Sequence, residues 1–348
     1  MLIPAMVIAF AITTSLIVAL RPVARAIGLV DRPGGRKRHE GEVPIIGGVG
    51  MYAGLFAAMV LLQASVPSIA TLFAACSILV IVGVVDDRYH VPTFVRFAAQ
   101  IAVVLIMVYG AGLPLASIGD PFGTGEIVMG RFTLIFTVLV TLSMINAYNM
   151  IDGLDGLAGS LALITLGCVA IVGGGAAATE IALVAAAAII GFLVFNLPAK
   201  ANSQFKTFMG DAGSTVLGLL VVWTTLTAIN GSGQAISPVH CLWFASVPIY
   251  DLFTCFVRRA LRGRSPLQPA RDHFHHTLRR GSLSNWQVLI TLGGLQLLYA
   301  VIGLTAHFAN VPDVTMFTLW ALVGCTQWWI IKRTAMRSRV AVFRSRSS

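Results

Sequence analysis

The sequence predicts an all-α fold, a polytopic membrane helix bundle of about eleven transmembrane helices. Three observations predict it. The 348 residues are 57% hydrophobic and only 11% charged, with a mean hydropathy of +0.85. A water-soluble core of this size would not be so poor in charge. Apolar runs on the order of 17–23 residues, long enough to cross a bilayer, recur along the whole chain. The basic residues fall almost entirely in alternate gaps between those runs.

The runs lie near 3–20, 45–63, 68–85, 94–112, 132–151, 156–175, 179–195, 212–229, 236–257, 286–308 and 312–331. The first basic residue is Arg21, so the opening run reads as a retained helix and not as a cleaved leader. The run at 179–195 is rich in Ala, and 68–85 follows a very short turn. If the N-terminus faces outward, every one of the 24 Lys and Arg residues except Arg131 falls on one side. The positive-inside rule makes that side cytoplasmic and places the C-terminus there. An even number of helices would scramble the segregation. The net charge of +10 then follows from topology and anionic lipid, and nucleic-acid binding is not needed to explain it. Residues 1–331 are expected to form one transmembrane catalytic domain, with 332–348 a basic cytoplasmic tail. The five Cys residues are scattered through apolar runs without a CxxC pair and read as small packed hydrophobes.

The polar residues gather on the same side as the basic ones. The stretch NAYNMIDGLDGLAGS, 146–160, places Asn146, Asn149, Asp152 and Asp155 three residues apart. At about 100° per residue a straight helix cannot aim all four at one target. The interleaved glycines predict an end or a bend that lets them converge. Amide and carboxylate oxygens are hard donors suited to Mg2+. Asp86 and Asp87 end the third run; on a helix they point about 100° apart, so one can face a site while its neighbour braces the structure. Asp211 sits between Gly210 and Gly213 at the start of the eighth run, as either a helix cap or a second metal ligand. Asn196 and Phe208 could hold and stack on a flat base. In the 258–285 loop, Arg259 and the crowded His273, His275 and His276 suit phosphate better than zinc, because the loop is so basic. Loop 31–48 adds Lys37 and His39. Metal, Arg and His beside a lipid wall are what phosphoryl transfer to a lipid needs.

These motifs resemble the polyprenyl-phosphate N-acetylhexosamine-1-phosphate transferases, a glycosyltransferase 4 family. The matching pieces are DRPGGRKRHEGEVPIIGG, the DD of VVDDRYHVP, NAYNMIDGLDGLAGS, FN followed by FMGDAGS, and SPLQPARDHFHH, in family order over roughly 30–285. HFHH with the preceding SPLQPARD looks like the branch using UDP-GlcNAc and undecaprenyl phosphate; the branch using UDP-MurNAc-pentapeptide usually shows three consecutive histidines. The resemblance implies transfer of a sugar 1-phosphate from a UDP-N-acetylhexosamine to undecaprenyl phosphate, releasing UMP. Such a reaction would be the first membrane step of a cell-envelope glycan, in a bacterial inner membrane with the site on the cytoplasmic face. It implies Mg2+, with Mn2+ as an alternative ion, held by Asn149 and Asp211. Asp86, Asp87, Asp152, Asp155 and His273 become the catalytic group. Lys37, Asn196, Phe208, Arg259, His275 and His276 become substrate-binding. One-step and covalent two-step routes both stay open, and a homodimer is allowed. The rival readings are a solute transporter, an intramembrane aspartyl protease and a CDP-alcohol phosphotransferase. They would need, respectively, polar groups at mid-membrane, paired carboxylates alone, and an Arg where Gly159 stands.

Overall fold

A computed structural model describes residues 1–32, 41–62, 68–198, 204–231, 236–261, 263, 273–280 and 282–344, with side chains as far as Arg333. Every apolar run falls on helix. In chain order they are α1 (Leu2–Ile27), α2 (Gly47–Val60), α3 (Ile69–Tyr89), α4 (Thr93–Leu105, continued by a π-helical turn), α5 (Thr133–Ile151), α6 (Leu157–Val172), α7 (Ala176–Asn196) and α8 (Gly210–Ile229). They continue with α9 (Pro238–Phe244), α10 (Ser246–Ala260), α11 (Phe274–Arg280), α12 (Asn285–Phe308) and α13 (Asp313–Arg344). Two short strands, β1 (Val30–Asp31) and β2 (Val43–Pro44), pair antiparallel.

Among the described residues eight helices are long and apolar enough to cross a membrane, or nine if α9 and α10 make one bent span. The remaining two runs form shorter apolar helices, α2 and α6. For α6 the reason is local: Gly173, Gly174 and Gly175 take φ of +86°, +57° and +113°, which ends the helix at Val172 inside the predicted run of 156–175.

Helix α8 is the axis of the bundle. It packs against α2, α3, α5, α6 and α7, and 78% of its spanning window is buried, against 6% for α13 at the rim. Small residues let its first turn be gripped on two sides. A Cβ on Gly48 of α2 would stand 2.3 Å from the Gly213 nitrogen, and one on Gly83 of α3 would stand 2.3 Å from the Ala212 Cα. Such backbone approach is how membrane helices pack without a hydrophobic drive between them.

The α9–α10 break is an 87° bend. Pro248 has no N–H to offer the carbonyl of Phe244 four residues earlier. That carbonyl accepts instead from Thr165 Oγ1 at 2.6 Å and from Gln296 Nε2. Gln296 Oε1 in turn accepts from Val247 N at 2.9 Å. The fully buried Gln296 amide thus satisfies both sides of the break, as backbone away from water requires. Beyond the bend α10 packs against α5 and brings Arg259 to the cavity that Asp211 also lines.

Candidate active site

The site grows from the first turn of α8. Asp87 at the end of α3 accepts from Asp211 N at 3.0 Å and from Ala212 N at 3.5 Å. It thereby caps a helix whose own N-terminus offers no side-chain cap. Asp86, next along α3, turns into the cavity. Its carboxylate accepts from Val91 N at 2.6 Å and from Arg96 Nη1 at 2.9 Å. The same Arg96 atom lies 3.6 Å from Asp211 Oδ2. Asn149 of α5 reaches the other Asp211 oxygen, with Nδ2 at 2.8 Å from Oδ1. One Asp of the DD pair therefore braces and the other faces the site, as two residues 100° apart on a helix can.

The glycine-rich stretch breaks as its spacing predicts. Helix α5 stops at Ile151, and α6 starts after Gly156, at φ +78°. The intervening turn carries Asp152 and Asp155. Burial first, then the charges of Asp211, Asp155 and Asp87, hold the Asp152 carboxyl well above the usual carboxylate range. Asp155 is ion-paired with Lys206 at 2.7 Å. Lys206 also lies 5.2 Å from the centre of the Phe208 ring. The buried Arg21 of α1 holds this strand of chain through the carbonyls of Gln204 and Lys206.

On the far wall stand α10 and α11. Asp251, 1% exposed, stands 2.8 Å from His273 Nδ1 and accepts from Phe274 N at 2.7 Å. His275, also 1% exposed, has no partner for either ring nitrogen among the described residues. Burial, then His276, His273 and Arg279, push its pKa down to about 2, so it is a neutral imidazole at any working pH.

A cavity of about 570 Å³ lies between these walls. Asn149, Asp211, Asp86, Arg259, His273, His275 and His276 all line it, so residues up to 190 positions apart in the chain meet at one place. Its other side is apolar, with Leu139 and Leu142 of α5 and Leu252 and Phe256 of α10. Some expected site residues are placed elsewhere. Asn196 is buried and spends its amide on backbone, accepting from Gly156 N at 2.7 Å and donating to Thr207 O at 2.9 Å. It therefore braces the start of α6 and does not line the cavity. Phe208 bridges to the β2 end, its N–H on Pro44 O at 3.0 Å, and it too is outside the lining. Asp87, Asp152 and Asp155 lie behind or beside the cavity in the roles given above. Lys37 and His39 lie outside the described residues.

Sequence reasoning missed Arg96, Lys206 as the partner of Asp155, and Asp251. Asp251 left a readable signal: it is the one acidic residue inside the apolar run 236–257, and a carboxylate there is costly enough to imply a role. The crowding of Asp86, Asp87, Asn149 and Asp152 around Asp211 suits a hard divalent cation, whose charge would relieve the repulsion that adds to burial in raising Asp152.

Fold and site together define a multi-pass helical membrane protein with a carboxylate- and His-lined polar cavity opening on an apolar wall. Residues 69–229 match the model of glycosyl transferase family 4. The chain is 36% identical over 331 residues to the undecaprenyl-phosphate alpha-N-acetylglucosaminyl 1-phosphate transferase of Escherichia coli O157:H7, covering 93% of this chain and 89% of that one. The Yersinia pestis protein of the same name is 36% identical, with 93% and 90% covered. That of Pasteurella multocida is 32% identical, with 92% of each covered. The chain belongs to glycosyl transferase family 4.

Proposed function

We propose that the protein transfers N-acetylglucosamine 1-phosphate from UDP-GlcNAc to undecaprenyl phosphate, releasing UMP. The single observation that carries this is the meeting of Asp86, Asn149, Asp211, Arg259 and His273 in one cavity that also has an apolar wall of Leu139, Leu142, Leu252 and Phe256. A polar nucleotide sugar and a lipid phosphate can share such a cavity, one from each side. The names of the relatives support the acceptor and the sugar.

In this reading the eight long helices, the bent α9–α10 pair and the shorter α2 and α6 make eleven spans, N-terminus outside. The cavity then opens on the cytoplasmic face of a bacterial inner membrane, where the basic residues collect. The reaction is an in-line displacement at the phosphorus attached to the sugar. An oxygen of the lipid phosphate forms the new P–O bond, and the bond to the UMP oxygen breaks. A phosphate monoester has its second pKa near 6, so the acceptor arrives largely ionised and needs positioning more than proton removal. Asp86, held with Arg96, orients it. Arg259 and the histidines offer donors to the diphosphate and the departing UMP. Asn149 and Asp211 would hold Mg2+, which when bound neutralises diphosphate charge. Asp152 and Asp155 support that cluster. The product would begin a cell-envelope glycan.

The test is UMP release by the purified protein given undecaprenyl phosphate and a panel of UDP-sugars, with mass detection of the lipid product. UDP-GlcNAc should give the fastest release, and the lipid should gain one GlcNAc phosphate. Absence of UMP with every UDP-sugar would overturn the reading. A solute transporter would instead move a substrate between compartments and leave both reactants intact.

A further inference from the structure

We propose that Asp251 is a positioning residue for His273, fixing the imidazole with Nδ1–H on its carboxylate so that Nε2 is the nitrogen presented to the cavity. This rests on reading the cavity as a phosphoryl-transfer site. Asp251 is 1% exposed in the middle of α10, where an unpaired carboxylate is costly. It is held by two groups at the start of α11: His273, just before the helix, and Phe274, its first residue. His273 Nδ1 stands 2.8 Å from Oδ2, and Phe274 N stands 2.7 Å from Oδ1. The carboxylate therefore fixes both the ring and the first turn of the helix that carries it.

A carboxylate on one imidazole nitrogen settles which nitrogen carries the proton and where the other points. His273 lines the cavity beside Arg259 and His276. The group that Nε2 meets in that setting is a phosphate oxygen, and the nucleoside diphosphate of the donor supplies one. The pair also fastens the start of α11 to α10, the arm of the bent span.

Cys255 adds a rival arrangement. Its Sγ lies 3.3 Å from His273 Nδ1, and the three ligand atoms of Asp251, Cys255 and His273 fall within 4.8 Å of one another. Zinc bonds of about 2.0–2.1 Å in a tetrahedron would hold nitrogen and oxygen roughly 3.3 Å apart. The observed 2.8 Å is a hydrogen-bond distance. The backbone N–H of Phe274 on the same carboxylate points the same way.

The experiment uses the full chain in nanodiscs, with 15N-labelled histidine. Wild-type His273 should show the Nδ1–H tautomer, and this readout stands even if the proposed donor or acceptor is wrong. A His273 signal in the Nε2–H tautomer would overturn the pairing. For turnover, D251N should lower kcat by about 100-fold or more, in the direction seen when a His-orienting Asp is made Asn. KM for UDP-GlcNAc should change less than threefold. D251E, which keeps the carboxylate, should recover part of the loss. H273Q should cost as much as D251N, and D251N/H273Q no more than H273Q alone, because two residues acting as one unit do not add. Losses that multiply in the double variant, or wild-type turnover in D251N, would overturn the proposal. So would one zinc per chain in the purified protein that disappears in C255S.

Discussion

Arg96 Nη1 stands 2.9 Å from Asp86 Oδ2 and 3.6 Å from Asp211 Oδ2, so a guanidinium from α4 joins carboxylates from α3 and α8. Asp211, which with Asn149 would hold a divalent ion, is thus already within reach of a cation of the protein's own. If the two cations share ligands, they compete for them. Arg96→Gln is then expected to bind Mn2+ roughly fivefold more tightly, on the order of 1 kcal/mol for a partly exposed pair. Titration of free Mn2+ by electron paramagnetic resonance measures this without any turnover. Equal or weaker binding in the variant would remove the competition. Turnover should fall in the same variant, because the guanidinium is also the natural partner of the acceptor phosphate.

Asp87 carries a different burden from its neighbour. Its carboxylate caps the backbone of Asp211 and Ala212 from another helix. Loss of a cap costs about 1 kcal/mol, up to about 2. Asp87→Ala is therefore expected to lower Tm by a few degrees, and Asp87→Asn, which keeps one acceptor oxygen, by less than half as much. Equal shifts for the two substitutions, read by thermal unfolding in detergent, would remove the capping role.

What the sequence made legible divides by physical cause. Lipid forces backbone groups to be satisfied within the protein, so apolar length located the helix of every apolar run, but neither the break between α9 and α10 nor α11, which falls in the polar 258–285 loop. The Asn/Asp/Gly spacing of 146–160 located the turn between α5 and α6: α5 stops at Ile151, and Gly156 at φ +78° begins the next helix. The lengths of the spans were less legible. Gly173–Gly175 are as hydropathically permissive as the alanines around them, and only their positive φ ends α6 early. Asn196 reads as a base-binding amide in sequence, yet both ends of its side chain are spent on backbone across 11 and 40 residues of chain. Arg96 was counted only as a topological charge, since nothing in its neighbourhood shows that it faces Asp86. Partners on separate helices leave no trace in local spacing.

The raised pKa of Asp152 gives a pH dependence whose sign can be fixed. Burial first, then Asp211, Asp155 and Asp87, favour its neutral form. The folded protein thus holds a proton that the unfolded chain gives up. The stability this contributes is fully present below the unfolded value of about 3.9 and is lost as pH rises through the raised folded value. In the presence of chelator, Tm should fall from about pH 4 upward, and Asp152→Asn, which stays neutral, should fall less. Added Mg2+ favours the ionised cluster, so its gain in Tm should grow with pH. Superimposable Tm profiles for wild type and Asp152→Asn would remove Asp152 as the cause.

Gly153 joins the turn of the carboxylates to the histidine helix. A Cβ there would stand 2.5 Å from His275 Nε2 and 2.9 Å from its Cε1. The ring cannot easily give way, because it is 1% exposed, stacks with His273 at 5.8 Å and lies tilted against His276 at 4.2 Å between ring centres. Gly153→Ala is therefore expected to displace His275 and to lower turnover at least tenfold, a loss on the order of 1.4 kcal/mol in transition-state stabilisation. It should leave Tm within a few degrees, since residue 153 is itself exposed. If the damage passes through His275, then Gly153→Ala adds little in a chain already carrying His275→Ala. Independent, multiplying losses in the double variant would show that Gly153 acts on the carboxylate turn directly, and that the contact with His275 is packing alone.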